Sequence, residues 1–124
     1  MAKIRSKHTQ PERAVRRWLF AHGYRFRLHS STLPGRPDIV IPRLKTVVEV
    51  RGCFWHRHAG CRFAYTPKSN RRFWLAKFDA NVRRDRRSAA ALRRLGWSVL
   101  TIWECESASQ GGLTKLLSKL RSRG

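Results

Sequence analysis

Acidic residues are scarce in this sequence, and their scarcity limits the kinds of molecule that it is expected to bind. Seven Asp and Glu stand against 28 Lys and Arg, giving a formal charge of +21 spread over 124 residues. Such an excess favours binding to a polyanion. Long apolar runs are also missing: no segment approaches the roughly 18 apolar residues of a membrane-spanning helix, and the N-terminus has no secretory signal. Nucleic acid is therefore the expected partner, and membrane association is not expected.

Repeats, low-complexity tracts and linkers are absent as well. With a hydrophobic content of 41%, the chain is long enough for one domain with one core over residues 1–124, and it is short for two. Residues 1–8 are basic and unpatterned, which predicts either a flexible arm that follows a phosphate backbone or a disordered start without a binding role.

Cysteine occurs three times, an odd number that closes no disulfide framework. Thiols beside histidines suit a reducing, cytosolic compartment and a metal. Cys53, His58 and Cys61 lie at short spacing, and Cys105 ends a later predicted strand. Four such ligands form a closed tetrahedral site, which is typical of structural zinc. The alternatives are three buried free thiols, or His56 in place of His58.

A tight β-hairpin is predicted over residues 38–50, where an apolar run, a turn that begins at proline and an alternating segment follow one another. If Ile41 pairs with Thr46 across the turn, Asp38 lies directly opposite Glu49. Their Cβ atoms would then be about 4.5–5.5 Å apart. Two facing carboxylates repel each other unless a cation lies between them, and Mg²⁺ is bound in this way by one or two carboxylates.

The stretch from Pro37-Asp38 to Glu49-Val50-Arg51 resembles the PD-(D/E)xK nuclease motif, with arginine in place of the usual lysine. In that interpretation Arg51 holds the phosphate. The alternative is a surface hairpin whose acids pair with Arg36 and Arg51.

Periodicity predicts further helices and strands around this hairpin. Together with the nuclease resemblance, they imply an α/β fold with a mixed central sheet flanked by helices. Thr9 has the chemistry of a helix N-cap, and Glu12 that of the residue completing a capping box, with a catalytic role as the less favoured interpretation. The predicted elements are a helix from Thr9 to Gly23, a strand from Tyr24 to His29 with His29 on the surface, a helix from Phe73 to Leu95, a strand from Trp97 to Cys105 with Glu104 and Glu106 as exposed counter-charges, and a helix over residues 111–121.

Asp85 falls on the apolar stripe of the second predicted helix, so it needs a partner to offset its desolvation. A histidine ring or a metal-bound water would serve, and Asn81 lies one turn earlier. The alternative is an ion pair with Arg84 or Arg86.

Phe54 and Trp55 have two interpretations of their own. They are either core residues or a wedge that enters a DNA base stack.

In combination, five stretches resemble the very-short-patch mismatch repair endonucleases, which share a PD-(D/E)xK core and a structural zinc. These stretches are Thr9 to Glu12, LPGRPDIVIP, GCFWHRH, FWLAKFDANVRRDRR and LGWSVLTIWEC. The family nicks DNA 5′ to the thymine of a T:G mismatch.

The resemblance implies a role for each matching residue, along with double-stranded DNA as substrate, mismatch-repair proteins as partners and a monomeric state. Asp38 binds Mg²⁺, His56 acts on the attacking water, Asp85 orients His56, and Glu12 is an acid near the active site. The zinc ligands are Cys53, His58, Cys61 and Cys105, and the DNA-binding residues are Phe54, Trp55, Trp74 and Asn81.

The sequence departs from the family pattern where Glu49 and Arg51 stand, and it has one extra residue between His58 and Cys61. Glu49 adds a second carboxylate for the metal, and Arg51 is a cation that cannot act as a base. T:G specificity is therefore less secure than nuclease activity. Two alternatives stay open: a nuclease of defence or mobile elements with another recognition rule, and a zinc-stabilised nucleic-acid-binding module without catalysis.

Overall fold

Four helices and four strands make up residues 9–123, the part of the chain that the computed structural model describes. Their bounds are α1 Gln10–Ala21, β1 Arg27–Leu28, β2 Ile39–Ile41, β3 Thr46–Arg51, α2 Arg71–Arg94, β4 Ser98–Trp103, α3 Glu104–Ser107 and α4 Gln110–Arg121. The predicted arm, residues 1–8, lies outside this part. No helix within it is long and apolar enough to cross a membrane.

The sheet is mixed, with strand order β1-β2-β3-β4. β1, β2 and β3 pair antiparallel, whereas β4 runs parallel to β3. A 3-10 turn, Pro42–Leu44, and a left-handed Lys45 (φ +48°) join β2 to β3. Ile41 pairs with Thr46, so the predicted hairpin register is confirmed.

Strand alternation gives the sheet two apolar faces. On one face, α1 and α4 cover a core that includes Ile39, Val48 and Leu100. On the other face, α2 places Leu92 against Val40, Val47 and Val99. The predicted α/β architecture with helices on both sides of a mixed sheet is therefore confirmed.

Two predicted strands are longer than the observed ones. The strand expected from Tyr24 shortens to β1 because the Tyr24 N–H still donates to Leu19 O, 3.0 Å away, at the end of α1. β4 ends at Trp103 because Glu106 Oε1 accepts from the Trp103 N–H at 3.0 Å and starts α3. Cys105 therefore lies in a short helix, and the prediction that a strand carries it was wrong.

The loop before β2 is held against α2. Gly35 has φ +74°, and a Cβ at this position would lie 2.5 Å from Ser88 Oγ, so only glycine fits. This contact fixes the approach to Asp38, the first acid of the candidate site.

Candidate active site and candidate zinc site

The predicted pair of acids lies at one end of the hairpin. Extending the observed register by one residue from the Ile39–Val48 pair places Asp38 opposite Glu49. Asp38 Oδ2 accepts a hydrogen bond from the Val50 N–H at 2.8 Å, which orients its carboxylate. Among residues 9–123 no ion pair joins either acid to an arginine. The alternative of a hairpin whose acids pair with arginines is therefore wrong.

Burial makes both carboxyl groups hard to ionise. Desolvation raises the pKa of Asp38 to about 6, although the Val50 amide lowers it. The pKa of Glu49 is raised to about 7, first by desolvation and then by the charge of Asp38. Glu49 Oε1 is buried and has no hydrogen-bond partner in the described part of the chain. A bound cation would relieve both penalties, so the pair has the chemistry of a cation site.

Glu12 and His29 extend this site beyond what the sequence predicted. The Glu12 N–H donates to Thr9 Oγ1 at 3.3 Å, as expected for the N-cap. The Glu12 side chain is buried, and both of its oxygens lie 3.0 Å from His29 Nε2. The prediction of a surface role for His29 was therefore wrong. Glu12, His29 and Asp38 each offer a potential metal-ligand atom, and these atoms lie within 4.8 Å of one another.

The pairing of β1 with β2 explains why His29 lies in the site, which the sequence alone did not indicate. Leu28 pairs with Ile39, so the next position brings His29 beside Asp38, and the His29 N–H donates to Asp38 O at 3.1 Å. Glu49 in turn pairs with Thr101. Positions 29, 38, 49 and 101 thus form a row across all four strands.

His56 and Asp85 form a close pair. His56 Nδ1 lies 2.6 Å from Asp85 Oδ2, and both side chains are more than two-thirds buried. The contact expected from the helical stripe is therefore present, and the alternative of an Asp85–arginine pair is not. With Nδ1 engaged, Nε2 is the ring nitrogen left to act on other groups.

Asn81 and Arg51 have surroundings of different kinds. The Asn81 side chain is buried, donates to Trp55 O at 3.2 Å and accepts from Arg84. It therefore holds the backbone of the loop that carries Trp55.

Arg51 Nε is buried without an acceptor among the described residues.

A second cluster gathers the predicted zinc ligands, whose ligand atoms lie within 4.8 Å of one another: Cys53, His58, Cys61 and Cys105. His58 Nδ1 lies 3.6 Å from the sulfur of Cys53 and 3.5 Å from that of Cys105. A tetrahedral zinc ion with ordinary bond lengths places sulfur and nitrogen about 3.5 Å apart. The spacing therefore fits such an ion, and His58, not His56, is the histidine at this cluster.

Neighbouring side chains contact this cluster on both sides of its loop. The His58 ring stacks on Trp103 at 4.4 Å and 9°. Glu104 Oε1 accepts from the Cys53 N–H at 3.3 Å, so Glu104 is more than the exposed counter-charge that was predicted. Burial raises the pKa of the Cys53 thiol to about 12, whereas backbone amides, that of Phe63 first, lower the pKa of Cys61.

Half-buried aromatic rings lie between the two sites. Phe54 and Trp55 make an edge-on contact with centroids 5.1 Å apart, and Trp74 of α2 lies 5.7 and 5.5 Å from them. Phe78 closes the group from the next turn of α2. We call Phe54, Trp55, Trp74 and Phe78 the aromatic cluster.

Arg57 organises this cluster, a role that the sequence did not reveal. Its guanidinium carbon lies 3.9 Å from the Phe78 ring centroid, and its nitrogens donate to the carbonyls of Phe54, Ala64 and Tyr65 at 2.7–3.1 Å. Desolvation lowers the pKa of Arg57. An arginine beside an exposed basic loop gives no sequence signal for such a role.

One cavity of about 740 Å³ brings most of the predicted residues together. Its wall includes Glu12, His29, Asp38, Glu49, Arg51, Phe54, Trp55, His56, Asn81 and Asp85. Trp74 and the zinc-cluster residues lie outside this wall. The cavity therefore combines carboxylates, the His56–Asp85 pair and two half-buried aromatic rings.

Comparison with known proteins shows which family the chain belongs to. The family model described as DNA mismatch endonuclease Vsr matches residues 1–62. The chain is 49% identical over 120 residues to the Type II nicking enzyme V.XorIIP of Xanthomonas oryzae pv. oryzae, covering 97% of this chain and 88% of that protein. It is also 40% identical over 114 residues to the DNA mismatch endonuclease Vsr of Escherichia coli K12, covering 92% and 72%.

A solved structure shares the fold. The catalytic domain of the homing endonuclease I-Bth0305I superposes with a TM-score of 0.62, at 21% identity, and the match covers 90% of this chain and 93% of that domain.

Proposed function

The chain belongs to the Vsr family of DNA mismatch endonucleases, and we propose that it nicks one strand of double-stranded DNA in a Mg²⁺-dependent reaction at the cavity around Asp38. The single observation that carries this proposal is the grouping of residues in one cavity. Two carboxyl groups with raised pKa values lie there beside the His56–Asp85 pair, in a chain with a formal charge of +21.

Asp38 and Glu49 are the residues that would hold the Mg²⁺. They fit it because both pKa values are raised and Glu49 keeps a buried oxygen without a partner in the described region. When bound, the ion supplies Lewis-acid polarisation of a phosphate oxygen. Glu12 lies close to Asp38 and accepts from His29, so the same wall carries further oxygen and nitrogen donors.

His56 takes the proton of the attacking water at Nε2. Asp85 holds the opposite nitrogen at 2.6 Å, which fixes the tautomer and stabilises the imidazolium that forms. Arg51 cannot act as a base. Its cation lies in the same wall, where it offsets the negative charge that develops on the phosphate.

The aromatic cluster supplies the recognition step. Phe54 and Trp55 line the cavity and enter the base stack, with Trp74 beside them on α2. Unstacking a duplex step costs about a few kcal/mol and costs least at a mismatch. A wedge of this kind therefore favours a T:G pair over a matched pair, and Asn81 acts by holding the Trp55 backbone.

The zinc role is structural. Cys53, His58, Cys61 and Cys105 would hold the zinc, and four protein ligands would leave no position for water. Their ion ties the loop of the aromatic cluster to α3. Three cysteines without a disulfide and a DNA substrate suit the cytosol. Mismatch-repair proteins act after the nick, and the chain works as a monomer.

A second candidate is a nicking enzyme with another recognition rule. Glu49 and Arg51 favour it, because they depart from the family pattern at the chemical centre. A binding module without catalysis is disfavoured, since it has no use for two repelling acids in so basic a chain.

The test is a comparison of two end-labelled duplexes that differ only in a T:G or C:G pair, incubated with the chain and Mg²⁺ or EDTA. We expect a Mg²⁺-dependent nick 5′ to the mismatched thymine and intact C:G duplex. Equal nicking of both duplexes would remove the mismatch assignment alone. Intact DNA with Mg²⁺ and with Mn²⁺ would overturn the nuclease assignment.

A further inference from the structure

A second, smaller cavity of about 280 Å³ lies beside the main one, between α2 and the edge strand β4. Its polar wall consists of Arg51, Asp85, Arg86, Arg93 and Thr101. We propose that this cavity binds a backbone phosphate of the DNA strand that is nicked, next to the phosphate that is cut. This inference rests on the proposed function and adds to it a second site, in which Arg86, Arg93 and Thr101 had no role from the motifs or from the family resemblance.

The charge of the cavity selects an anion. Three guanidinium groups face one carboxylate, and that carboxylate, Asp85, is already shared with His56. Guanidinium groups bind phosphate oxygens through paired, charge-assisted hydrogen bonds. Arg51 also keeps a buried Nε without an acceptor in the part of the chain described. The wall is therefore short of acceptors, which phosphate oxygens would supply.

The position of the cavity selects a phosphate of the cleaved strand. Arg51 and Asp85 line both cavities, so they form the partition between them. Beneath the two cavities, Glu49 and Thr101 are paired neighbours on β3 and β4. A strand that lies across the row from Asp38 to Thr101 thus passes directly from the cleavage site into the second cavity.

The remaining two arginines converge from one helix. Arg86 and Arg93 lie seven residues apart on α2, which places them two turns apart on the same side. Arg87 and Arg94 have the same spacing, charge and exposure on the same helix, but neither lines the cavity. They provide a matched control for the loss of two positive charges.

The first experiment measures DNA binding by fluorescence anisotropy over a series of salt concentrations, using the full chain with Asp38→Ala to prevent cleavage. We expect Arg86→Ala/Arg93→Ala to weaken binding about tenfold or more and to reduce the salt slope by about 1, as for one lost phosphate contact. Arg87→Ala/Arg94→Ala should weaken binding several-fold less. If the two double variants lost the same amount of DNA affinity, the proposal would be overturned, because arginines anywhere on this side of α2 would then contribute equally.

The second experiment separates backbone phosphate from free phosphate. Inorganic phosphate, compared with chloride at equal ionic strength, should raise the melting temperature of the wild type and of the Arg87/Arg94 variant, and not that of the Arg86/Arg93 variant. A phosphate effect without a difference in DNA binding would overturn the assignment to DNA. No effect in either experiment would overturn the site.

A back-up variant guards against misfolding. If Arg86→Ala/Arg93→Ala fails to fold, Arg86→Gln/Arg93→Gln takes its place, because glutamine favours helix and can still form hydrogen bonds. Absence of nicking by the wild type would count against the proposed function only, since both binding comparisons are made without cleavage.

Discussion

At the scale of single residues, the candidate site is defined by groups whose ionisation the fold opposes. Asp38 and Glu49 have pKa values raised to about 6 and about 7, chiefly by desolvation. In the folded chain their protonated forms are therefore favoured more than in the unfolded chain. Both groups therefore cost stability when ionised, and a cation bound between them would offset that cost.

Glu49→Gln should stabilise the chain in a pH-dependent way when no divalent cation is present. Because the folded pKa lies above the ordinary value of 4.5, wild-type stability falls as pH rises through about 4.5 to 7. Glutamine does not ionise, so the variant does not lose this stability. Its free energy of unfolding should exceed that of the wild type by on the order of 1–3 kcal/mol at pH 8 and by little at pH 4. Thermal unfolding of both proteins at the two pH values measures this difference.

Asp79→Asn, an exposed acid on α2 paired with Arg83, controls for the loss of one negative charge. An advantage of Glu49→Gln that is the same at pH 4 and pH 8 would contradict the account of Glu49.

Asp85→Asn should slow nicking by about 100-fold or more while leaving DNA affinity equal to or above that of the wild type, because the asparagine amide no longer stabilises the His56 imidazolium and removes one negative charge beside the DNA. Single-turnover nicking and anisotropy measure the two quantities. Asp79→Asn again serves as the matched control on the same helix, with near wild-type rates expected. A nicking rate of Asp85→Asn close to that of the wild type would remove His56 as the base.

At the scale of elements, the candidate zinc site joins the loop after β3 to α3. Cys53 lies two residues after the end of β3, and Cys105 lies in α3, so an ion bound by both would tie the loop between β3 and α2 to α3. That loop carries Phe54, Trp55 and His56. The proposed recognition wedge and the proposed base would therefore depend on one structural ion.

His58→Ala should lose the ion and lower the melting temperature by several degrees or more, since structural zinc contributes directly to folding free energy. Metal analysis should give one zinc per wild-type chain and a clear deficit in the variant. His22→Ala changes an exposed histidine that contacts only Trp18 among the described residues, and it should keep its zinc. Full zinc content in His58→Ala would contradict the assignment of His58.

Local patterns predicted the hairpin and the ends of α1, α2 and α4 well. The proline turn sets the register of β2 and β3, and Thr9 fixes the start of α1. His29 was misplaced because its neighbours are set by pairing of β1 with β2 across a ten-residue loop. α3 was missed because its start depends on a single side-chain bond from Glu106.

At the scale of the whole molecule, α2 joins recognition to cleavage. Its 24 residues span roughly 36 Å. Trp74 and Phe78 lie near its start, Asp85 lies in its middle, and Leu92 anchors it to the sheet near its end. A rigid element of this length holds the wedge and the proposed base at a fixed separation, while the excess of positive charge holds the DNA.

The most direct test of the central claim, that the cavity around Asp38 cuts DNA, is single-turnover nicking of a T:G duplex by Asp38→Asn. With Mg²⁺ we predict nicking at least about 100-fold slower than the wild type, with unchanged zinc content and DNA affinity equal to or above that of the wild type. Nicking by Asp38→Asn at the wild-type rate would contradict the account and place the chemistry elsewhere on the chain.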